Sequence, residues 1–226
     1  MELSVKYKIT GNAVTITDVA MKTDASTGMS VIATSGKFTI PPKIDGKPVT
    51  AIADFAAAEC IGLTSVTIPD SVTSIGEGAF FGCIALNKVT LPSAIKYISD
   101  RMFSHCRKLT SIAIPANVTD IGDGAFYNCS QLISITIPDR VTYLGNTVFA
   151  DCSRLKTAII GKSVTSIGIQ AFEGCRALLS ITIPDSVASI GDHAFSKSGL
   201  LSVIIPSKLK KIGTEVFPAK TKIIRD

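Results

Sequence analysis

Six cysteines recur at a constant spacing, and their thiols are the most reactive side chains that this sequence offers. Thiolates could ligate zinc, form disulfides or act as nucleophiles, and each of these roles needs its own geometry. A structural zinc site needs ligand pairs about two to four residues apart. The cysteines instead follow one another every 23 residues, which predicts a ladder with one thiol per repeat. They are Cys60, Cys83, Cys106, Cys129, Cys152 and Cys175.

Disulfides between neighbouring repeats are not expected either. In a stack of parallel strands the Cα atoms of neighbouring cysteines would be about 5 Å apart, but their Cβ atoms would be about 5 Å apart too, where a disulfide needs about 3.8 Å. We therefore predict free thiols, buried as small apolar side chains. On this interpretation a serine in place of Cys106 would bury a hydroxyl that has no assured partner.

The histidines and carboxylates do not form a catalytic centre in the sequence. His105 and His193 are four repeats apart, which is about 20 Å in a stack, and both occupy variable positions that are expected on the surface. Asp70, Asp139 and Asp185 follow the proline of the repeat and are expected to bond their own turn. No glycine-rich phosphate loop and no calcium-loop spacing occurs. We therefore predict a non-enzymatic protein without cofactor or metal.

Several other residue types keep the period of the cysteines, so the chain is a tandem repeat. A phenylalanine stands three residues before five of the cysteines, and a leucine stands three residues after each of them. Residues 115–137 read Pro-x-x-Val-x-x-Ile-Gly-x-x-Ala-Phe-x-x-Cys-x-x-Leu-x-x-Ile-x-Ile. The end of this unit alternates apolar and polar residues, which predicts a short half-buried strand.

The first half of the unit predicts a second extended piece followed by a helical turn. Val118 and Ile121 mark the extended piece, and Ala125 and Phe126 mark the turn. Gly122 and its counterparts in other repeats are expected at the bend between them, where a positive φ would be tolerated. One such unit cannot bury its own apolar face, whereas stacked units bury it in ladders of identical side chains.

Two motifs of this unit, Leu-x-x-Ile-x-Ile-Pro and Ile-Gly-x-x-Ala-Phe-x-x-Cys, resemble the leucine-rich repeat superfamily and, more closely, its BspA-type branch of bacterial and protist surface proteins. The resemblance covers residues 38–224. It implies an α/β repeat solenoid, a leucine-rich repeat array of about eight coils with parallel strands and short helical turns. It also implies a binding or adhesion module of a cell-surface or secreted protein.

The ends of the array depart from the unit. Residues 7–16 alternate around Gly11-Asn12, which predicts a β-hairpin. We therefore expect residues 1–40 to form a β-rich N-terminal cap that is continuous with a solenoid over residues 41–226. Residues 21–30 are predicted to form a mobile loop. In the coil that follows Pro184, Lys197 or Ser198 takes the place of the cysteine.

Composition and charge narrow the class of protein further. Hydrophobic residues make up 46% and charged residues 18%, which excludes disorder. No apolar stretch approaches the roughly 20 residues of a membrane-spanning helix, so membrane insertion is not expected. The first six residues lack a signal-peptide pattern, so the expected surface localisation follows only from the family resemblance.

The net charge of +5 is concentrated at one end of the chain. Residues 206–226 carry six basic and two acidic side chains and therefore supply +4 of it. Apart from Phe217 no aromatic residue lies among these lysines, so nucleic-acid binding is not expected. This basic end could still attract an acidic protein partner. Its candidate binding residues are Lys208, Lys210 and Lys211.

The outward positions of the predicted strands form the main candidate for a partner-binding surface, which we call the strip. Solenoids use extended surfaces of this kind to bind proteins or glycans, although serine and threonine also simply suit an exposed sheet. The strip has no aromatic residue, and Lys88 is its only charge. Its residues are Ser65, Thr67, Lys88, Thr90, Ser111, Ala113, Ser134, Thr136, Thr157, Ile159, Ser180 and Thr182, followed by Ser202 and Ile204.

The leading functional hypothesis is therefore protein–protein interaction, with an unidentified protein as the partner. An intracellular scaffold or spacer and a carbohydrate-binding accessory domain remain as alternatives. The sequence predicts neither the identity of the ligand nor the oligomeric state.

Overall fold

The computed structural model of the protein describes residues 2–22 and 36–225. Within these ranges the chain is a β-solenoid of about eight turns of roughly 23 residues, with parallel stacked strands and an N-terminal hairpin. The loop that we predicted at residues 21–30 lies outside the described residues, except for its first two positions, which end the second strand. None of the described segments is a helix of the length and apolarity that a membrane span requires.

The N-terminal hairpin lies against the first coil. Strands β1 (Glu2–Thr10) and β2 (Ala13–Lys22) pair antiparallel around Gly11, whose φ of 60° suits the tight turn. Strand β2 then pairs in parallel with β5 (Lys47–Ile52), so the hairpin continues the solenoid stack. Strand β4 (Lys43–Ile44) joins β5 through a second tight turn. The predicted hairpin is confirmed.

Each coil contributes two short strands, except the one that contains residues 111–113, and the first set of strands carries the strip. This set pairs in three separate groups: β3, β6 and β8, then β11 and β13, then β15, β17 and β19. Residues 111–113 form no strand, so the expected continuous ladder of strip strands is wrong. The strands are β3 (Lys37–Thr39), β6 (Ser65–Thr67), β8 (Lys88–Thr90), β11 (Ser134–Thr136), β13 (Thr157–Ile159), β15 (Ser180–Thr182), β17 (Ser202–Ile205) and β19 (Lys222–Arg225).

The second set of strands forms a longer continuous ladder, which we call the second sheet. Six of its strands pair in succession from β9 to β18, while the first, β7, pairs with β5. The division between β7 and β9 falls where Ser99 replaces the repeated glycine. The strands are β7 (Ser74–Ile75), β9 (Tyr97–Ile98), β10 (Asp120–Ile121), β12 (Tyr143–Leu144), β14 (Ser166–Ile167), β16 (Ser189–Ile190) and β18 (Lys211–Ile212).

The repeated glycine permits close approach of neighbouring coils rather than a positive φ. A Cβ atom at Gly145 would lie 2.5 Å from the backbone carbon of Gly122 in the coil before it. Gly122 itself does not adopt a positive φ, so our expectation for this row is wrong. The left-handed conformation instead recurs two residues later, at Gly124 and Thr147, and again four residues further on, at Asn128.

The predicted helical turn is wrong: the described residues contain no helix. The amides of Gly124, Phe126 and Asn128 donate to carbonyl groups of the next coil, and the amides between them donate within their own turn. A helix would need consecutive amides to bond four residues back along the same chain. Because alternate amides here bond the neighbouring coil, the segment forms a series of turns, which we call the turn face.

The core is a single apolar column through the stack. Seven phenylalanine rings are stacked along it, with centroids 5.2 to 5.6 Å apart. The leucines, valines and isoleucines of the unit form parallel ladders beside them, and nearly all are buried. The rings are those of Phe80, Phe103, Phe126, Phe149, Phe172, Phe195 and Phe217.

Candidate functional site

The six cysteines are free and buried, which confirms the expectation from their spacing. From Cys83 onwards, each thiol donates a hydrogen bond to a backbone carbonyl of the preceding coil. The acceptor is always the residue three positions before the cysteine of that coil: Cys106, for example, donates to the carbonyl of Phe80 at 3.2 Å. Cys60 donates to Val19 of the hairpin instead. The hydroxyl of a serine at Cys106 would therefore meet an acceptor, contrary to our expectation. Ser198 takes the cysteine position in the coil after that of Cys175 and is also buried.

Burial keeps these thiols protonated and therefore poor nucleophiles. Desolvation raises the pKa of Cys60 to about 11 and that of Cys83 to about 12. The same cause raises the pKa of Cys106 and Cys129 well above the ordinary value. Because the thiolate is the reactive form, burial makes these thiols poor nucleophiles, and within the stack they pack as small apolar side chains.

The two histidines lie in different environments and do not meet. His105 is half-buried between the rings of Phe81 and Tyr127, at centroid distances of 5.4 and 5.2 Å. Burial, and secondarily the charge of Arg107, lowers its pKa. His193 lies in a later coil, with its Nδ1 3.4 Å from the carboxylate of Glu215. In the described part of the chain, no group of three histidine, cysteine or carboxylate side chains is placed to hold a metal ion.

The carboxylates that follow the prolines bond between coils rather than within their own turns. Asp70 accepts the amide of Ser93, and Asp139 accepts the amide of Lys162, each from the coil that follows. The expectation of a local bond is therefore wrong for these two. The same amide-to-carboxylate bond recurs along the edge of the second sheet at Asp54, Asp100, Asp123 and Asp192. These carboxylates tie the coils together.

The structure places the strip residues outward, as the alternation predicts. Of its fourteen residues eleven are exposed, and Ser65, Ser202 and Ile204 are half-buried. The breaks between the strand groups, however, divide the strip. The inward residues Val89 and Ala158 lie in edge strands of their groups and are only partly buried, whereas Val66 in β6, which has a strand on either side, is buried. Ile135 in β11 is buried although its strand is also at a group edge.

Two apolar clefts open where the strip is divided. One, of about 760 Å³, lies between residues 111–114 and β11 and includes Ser111, Ala113, Ser134 and Thr136. The other, of about 640 Å³, lies beside β13 and includes the exposed side chain of Ile159. Sequence analysis did not predict these clefts, because every coil there has the same length and pattern. The strip is therefore a row of shallow polar surfaces separated by apolar depressions.

The lysines of the basic end are exposed, and two of them border a different surface. Lys210 and Lys211 line an open depression of about 710 Å³ on the second sheet, which also includes Tyr143 and Asp192. Lys208 is exposed in the turn after β17 and is not among the residues of this depression. The three lysines therefore do not form one compact patch, and the depression beside Lys210 and Lys211 lies on a different sheet from the strip.

Two surfaces that sequence analysis missed carry aromatic side chains. On the second sheet, Tyr97 and Tyr143 are 58% and 36% exposed. On the turn face, a groove of about 520 Å³ runs between the two rows of left-handed residues, and we call it the turn-face groove. Residues at one variable position of the unit form the floor of this groove: Phe81, Ser104, Tyr127, Ala150 and Glu173. The alternation of bulky and small residues at this position was the sequence signal that could have revealed the groove.

The stacked coils and their ladders define a leucine-rich repeat solenoid, and comparisons with known proteins agree. The model of the BspA type leucine-rich repeat region matches residues 50–177 and 143–225. The chain therefore belongs to the BspA-type leucine-rich repeat family. No curated protein matches it.

Solved structures share the fold. A leucine-rich repeat protein from Bacteroides ovatus has a TM-score of 0.80 at 25% identity, over 100% of this chain and 66% of that protein. A leucine-rich cell surface protein from Faecalibacterium prausnitzii has a TM-score of 0.67 at 28% identity, over 99% and 75%. The leucine-rich repeat protein of T. pallidum has a TM-score of 0.70 at 24% identity, over 95% and 88%, and shares the fold alone.

Proposed function

We propose that this chain is a non-enzymatic protein-binding module of a cell-surface or secreted protein, and that the strip is its binding surface. The observation that carries the proposal is the regular outward presentation of the strip residues along the stack. A partner that lies along a solenoid reads side chains repeated coil after coil. Surface localisation is supported by the family and by the F. prausnitzii relative, which is described as a cell surface protein.

The apolar clefts give the strip places where a partner could anchor. Tight interfaces usually concentrate their energy in a few large side chains buried in pockets. The strip itself offers small hydroxyl residues, so the large anchors would come from the partner and insert beside Ile159 or between Ala113 and Thr136. This arrangement favours an interface of moderate affinity with a mixed polar and apolar partner surface.

The proposal is tested by measuring binding to a panel of purified extracellular matrix and cell-surface proteins by surface plasmon resonance. We expect at least one protein of the panel to bind with an affinity that changes little between 0.1 and 1 M salt, because the strip is nearly uncharged. Binding that disappears in 1 M salt would assign the interface to the basic end at Lys208, Lys210 and Lys211. Absence of binding to every protein of the panel would argue against an adhesion role.

A carbohydrate-binding role is the second candidate, and the second sheet is the surface that favours it. Tyr97 and Tyr143 lie two strands apart on this sheet, which is roughly 10 Å. Exposed tyrosine rings offer an apolar face and a polar tip, a combination that suits sugar rings. A glycan array probed with the protein and with a Tyr97→Ala/Tyr143→Ala variant tests this role. Glycan binding that the variant loses would favour it over the strip.

A further inference from the structure

The depression on the second sheet has an aromatic ring at one end and cations at the other. Tyr143, Ser166, Ser189 and Lys211 pair in register on four successive strands, so they form one row across the sheet. Because neighbouring strands are about 4.8 Å apart, the Cα atoms of Tyr143 and Lys211 are separated by about 14 Å. Lys210 lines the same surface, which has a volume of about 710 Å³ and which we call the second-sheet depression.

The floor of the second-sheet depression is low because the residues between its two ends are small. Ser166 and Ser189 are half-buried, and Gly168 and Gly191, which follow their strands, have no side chain to fill the space. Neither serine hydroxyl has a hydrogen-bond partner among the described residues. The side chain of Ile169 beside them is 44% exposed. The floor therefore offers two free hydroxyl groups next to an apolar surface.

The cations of the second-sheet depression are free to pair with a ligand. Lys210 and Lys211 are exposed and belong to no ion pair of the described residues. The one acid that lines the depression, Asp192, accepts hydrogen bonds from the amide and the hydroxyl of Thr214, at 2.7 and 3.0 Å. Asp192 follows β16 whereas Lys210 precedes β18, so the two lie at opposite margins of the sheet.

The row itself has opposite charges at its two ends. Asp120 pairs with Tyr143 on the strand beyond it, so this carboxylate stands at the tyrosine end of the row. The Cα atoms of Asp120 and Lys211 are four strand spacings apart, which is about 19 Å. An anionic group on a ligand is therefore attracted to the lysine end and repelled from the tyrosine end.

We infer that the second-sheet depression binds an acidic oligosaccharide, with a sugar ring against Tyr143 and a carboxylate or sulfate group held by Lys210 and Lys211. The inference rests on the carbohydrate-binding role proposed above and names the class of glycan. The tyrosine ring covers the apolar face of a sugar, and the free hydroxyls of Ser166 and Ser189 can exchange hydrogen bonds with sugar hydroxyls. The ammonium groups form charge-assisted hydrogen bonds with the acid group. Because about 14 Å separates the two ends, the ligand is an oligosaccharide and not a single sugar.

The inference is tested by isothermal titration calorimetry with three hexasaccharides, from hyaluronan, from chondroitin sulfate and from chitin. The first carries carboxylates, the second adds sulfates and the third is neutral, so the first two also distinguish the kind of acid group. We expect saturable binding of at least one acidic hexasaccharide, about tenfold or more tighter than that of the neutral one. Equal affinity for the chitin hexasaccharide would overturn the inference but leave the carbohydrate-binding role intact. Absence of binding by all three would overturn both.

A pair of lysine variants locates the acid group of the ligand. Lys210→Gln with Lys211→Gln removes both cations of the depression and should weaken binding of the acidic hexasaccharide about tenfold. The matched control, Lys220→Gln with Lys222→Gln, removes the same charge from exposed residues of the same coil that do not line the depression. At about 0.15 M salt, where charges more than roughly 8 Å apart are largely screened, this control should bind as the unmodified protein does. Equal losses in the two variants would show general attraction to the basic end and would contradict a site in the depression.

Substitutions at Tyr143 locate the sugar ring. Tyr143→Ala removes the ring and should weaken binding of the acidic hexasaccharide, whereas Tyr143→Phe keeps the ring and should retain most of the affinity. Circular dichroism and the urea midpoint show whether each variant is folded. A folded Tyr143→Ala variant with unchanged affinity would refute the position given to the sugar ring and, with it, the inference.

Discussion

The central coils and the last coil are built from the same unit but bury it to different extents. The ring of Phe126 stacks on Phe103 and on Phe149 and is completely buried. The ring of Phe217 in the last coil stacks on Phe195 alone and is half-buried. Ile212, whose equivalents in earlier coils are buried, is 42% exposed.

This difference shows where the stability of the stack arises. A coil has little core of its own, because its apolar side chains are covered by the coils on either side. A coil covered on both sides is therefore held by two interfaces, and the last coil by one. The central coils also contain the thiol ladder, whereas the last coil has no cysteine.

The largest expected effect is alkaline unfolding of the central stack. Burial raises the thiol pKa values, to about 11 at Cys60 and about 12 at Cys83, above an unfolded value of about 8.5. Each thiol then loses up to about 1.4 kcal/mol of stability per pH unit above 8.5, and six together lose up to roughly 8 kcal/mol per pH unit. Their stabilising contribution is complete below pH 8.5 and is lost as the pH rises towards the folded pKa. Urea midpoints measured from pH 7 to 10.5 should fall steeply above pH 9.

Serine variants provide the control for this pH effect. Replacing Cys83, Cys106 and Cys129 together with serine should remove about half of the decline, because three of six titrating groups are gone. In the native protein near pH 8 a thiol reagent should label few cysteines, whereas in denaturant it should label all six. A protein that remains folded with an unchanged urea midpoint at pH 10.5 would contradict buried, protonated thiols.

The next effect separates the middle of the stack from its end. Phe126→Ala leaves a cavity between two rings and should lower the free energy of unfolding by about 3–5 kcal/mol. Phe217→Ala should cost clearly less, because one face of that ring has no neighbouring ring. Urea denaturation of both variants measures the difference. Equal losses at the two positions would show that stability does not depend on coil-to-coil stacking.

A smaller effect is expected at the repeated glycine. Gly145→Ala places a methyl group against the backbone of Gly122, which cannot move without separating the coils, and should cost about 1–3 kcal/mol. Gly213→Ala makes a similar close contact with Asp192, but β18 ends the second sheet and can shift outward. It should therefore cost less. Thermal or urea unfolding checks both, and a neutral Gly145→Ala would refute the close approach.

A still smaller effect is expected at the thiol positions. Cys106→Ser should cost about 1 kcal/mol, since the serine hydroxyl can donate to the Phe80 carbonyl as the thiol does. Urea unfolding near pH 7, where the thiol pKa plays no part, isolates this term. A loss of about 3 kcal/mol or more would mean that the hydroxyl is buried without its acceptor.

The period of 23 residues was sufficient to predict the stack and the inward ladders, and the alternation around Gly11-Asn12 was sufficient to predict the hairpin. Those features depend on which side chains are apolar, which the sequence states directly. It could not predict the turns in place of the helix, because the amides of Gly124 and Phe126 find their acceptors in the next coil. The sequence also led to a wrong prediction for Gly122, for which we expected a positive φ. Glycine is needed there because the backbone of a neighbouring coil leaves no space for a Cβ atom.

The candidate surfaces were predictable only in part, for the same reason. The alternation along each strand placed residues such as Ser134 and Thr136 outward. The division of the strip and its clefts depend on which coils form hydrogen bonds with each other. The sequence pattern around residues 111–114 is the same as in the neighbouring coils and therefore does not reveal where these hydrogen bonds are missing. The turn-face groove arises because Tyr127 and Ala150 meet across coils, and only the stacking register brings them together.

The smallest expected change in stability accompanies the largest expected change in binding. Ser134→Arg with Thr136→Glu places two charges at the centre of the strip and should alter the free energy of unfolding by less than about 0.5 kcal/mol, because both residues are exposed. The matched control, Thr73→Arg with Ser74→Glu, makes the same changes at exposed residues of the second sheet.

The most direct test of the account is the affinity of these two folded variants, measured by surface plasmon resonance against a protein partner found in the panel. If the strip is the binding surface, the Ser134→Arg/Thr136→Glu variant loses binding through steric conflict and charge desolvation, and the second-sheet control binds as the unmodified protein does. Unchanged binding by the strip variant would contradict the account.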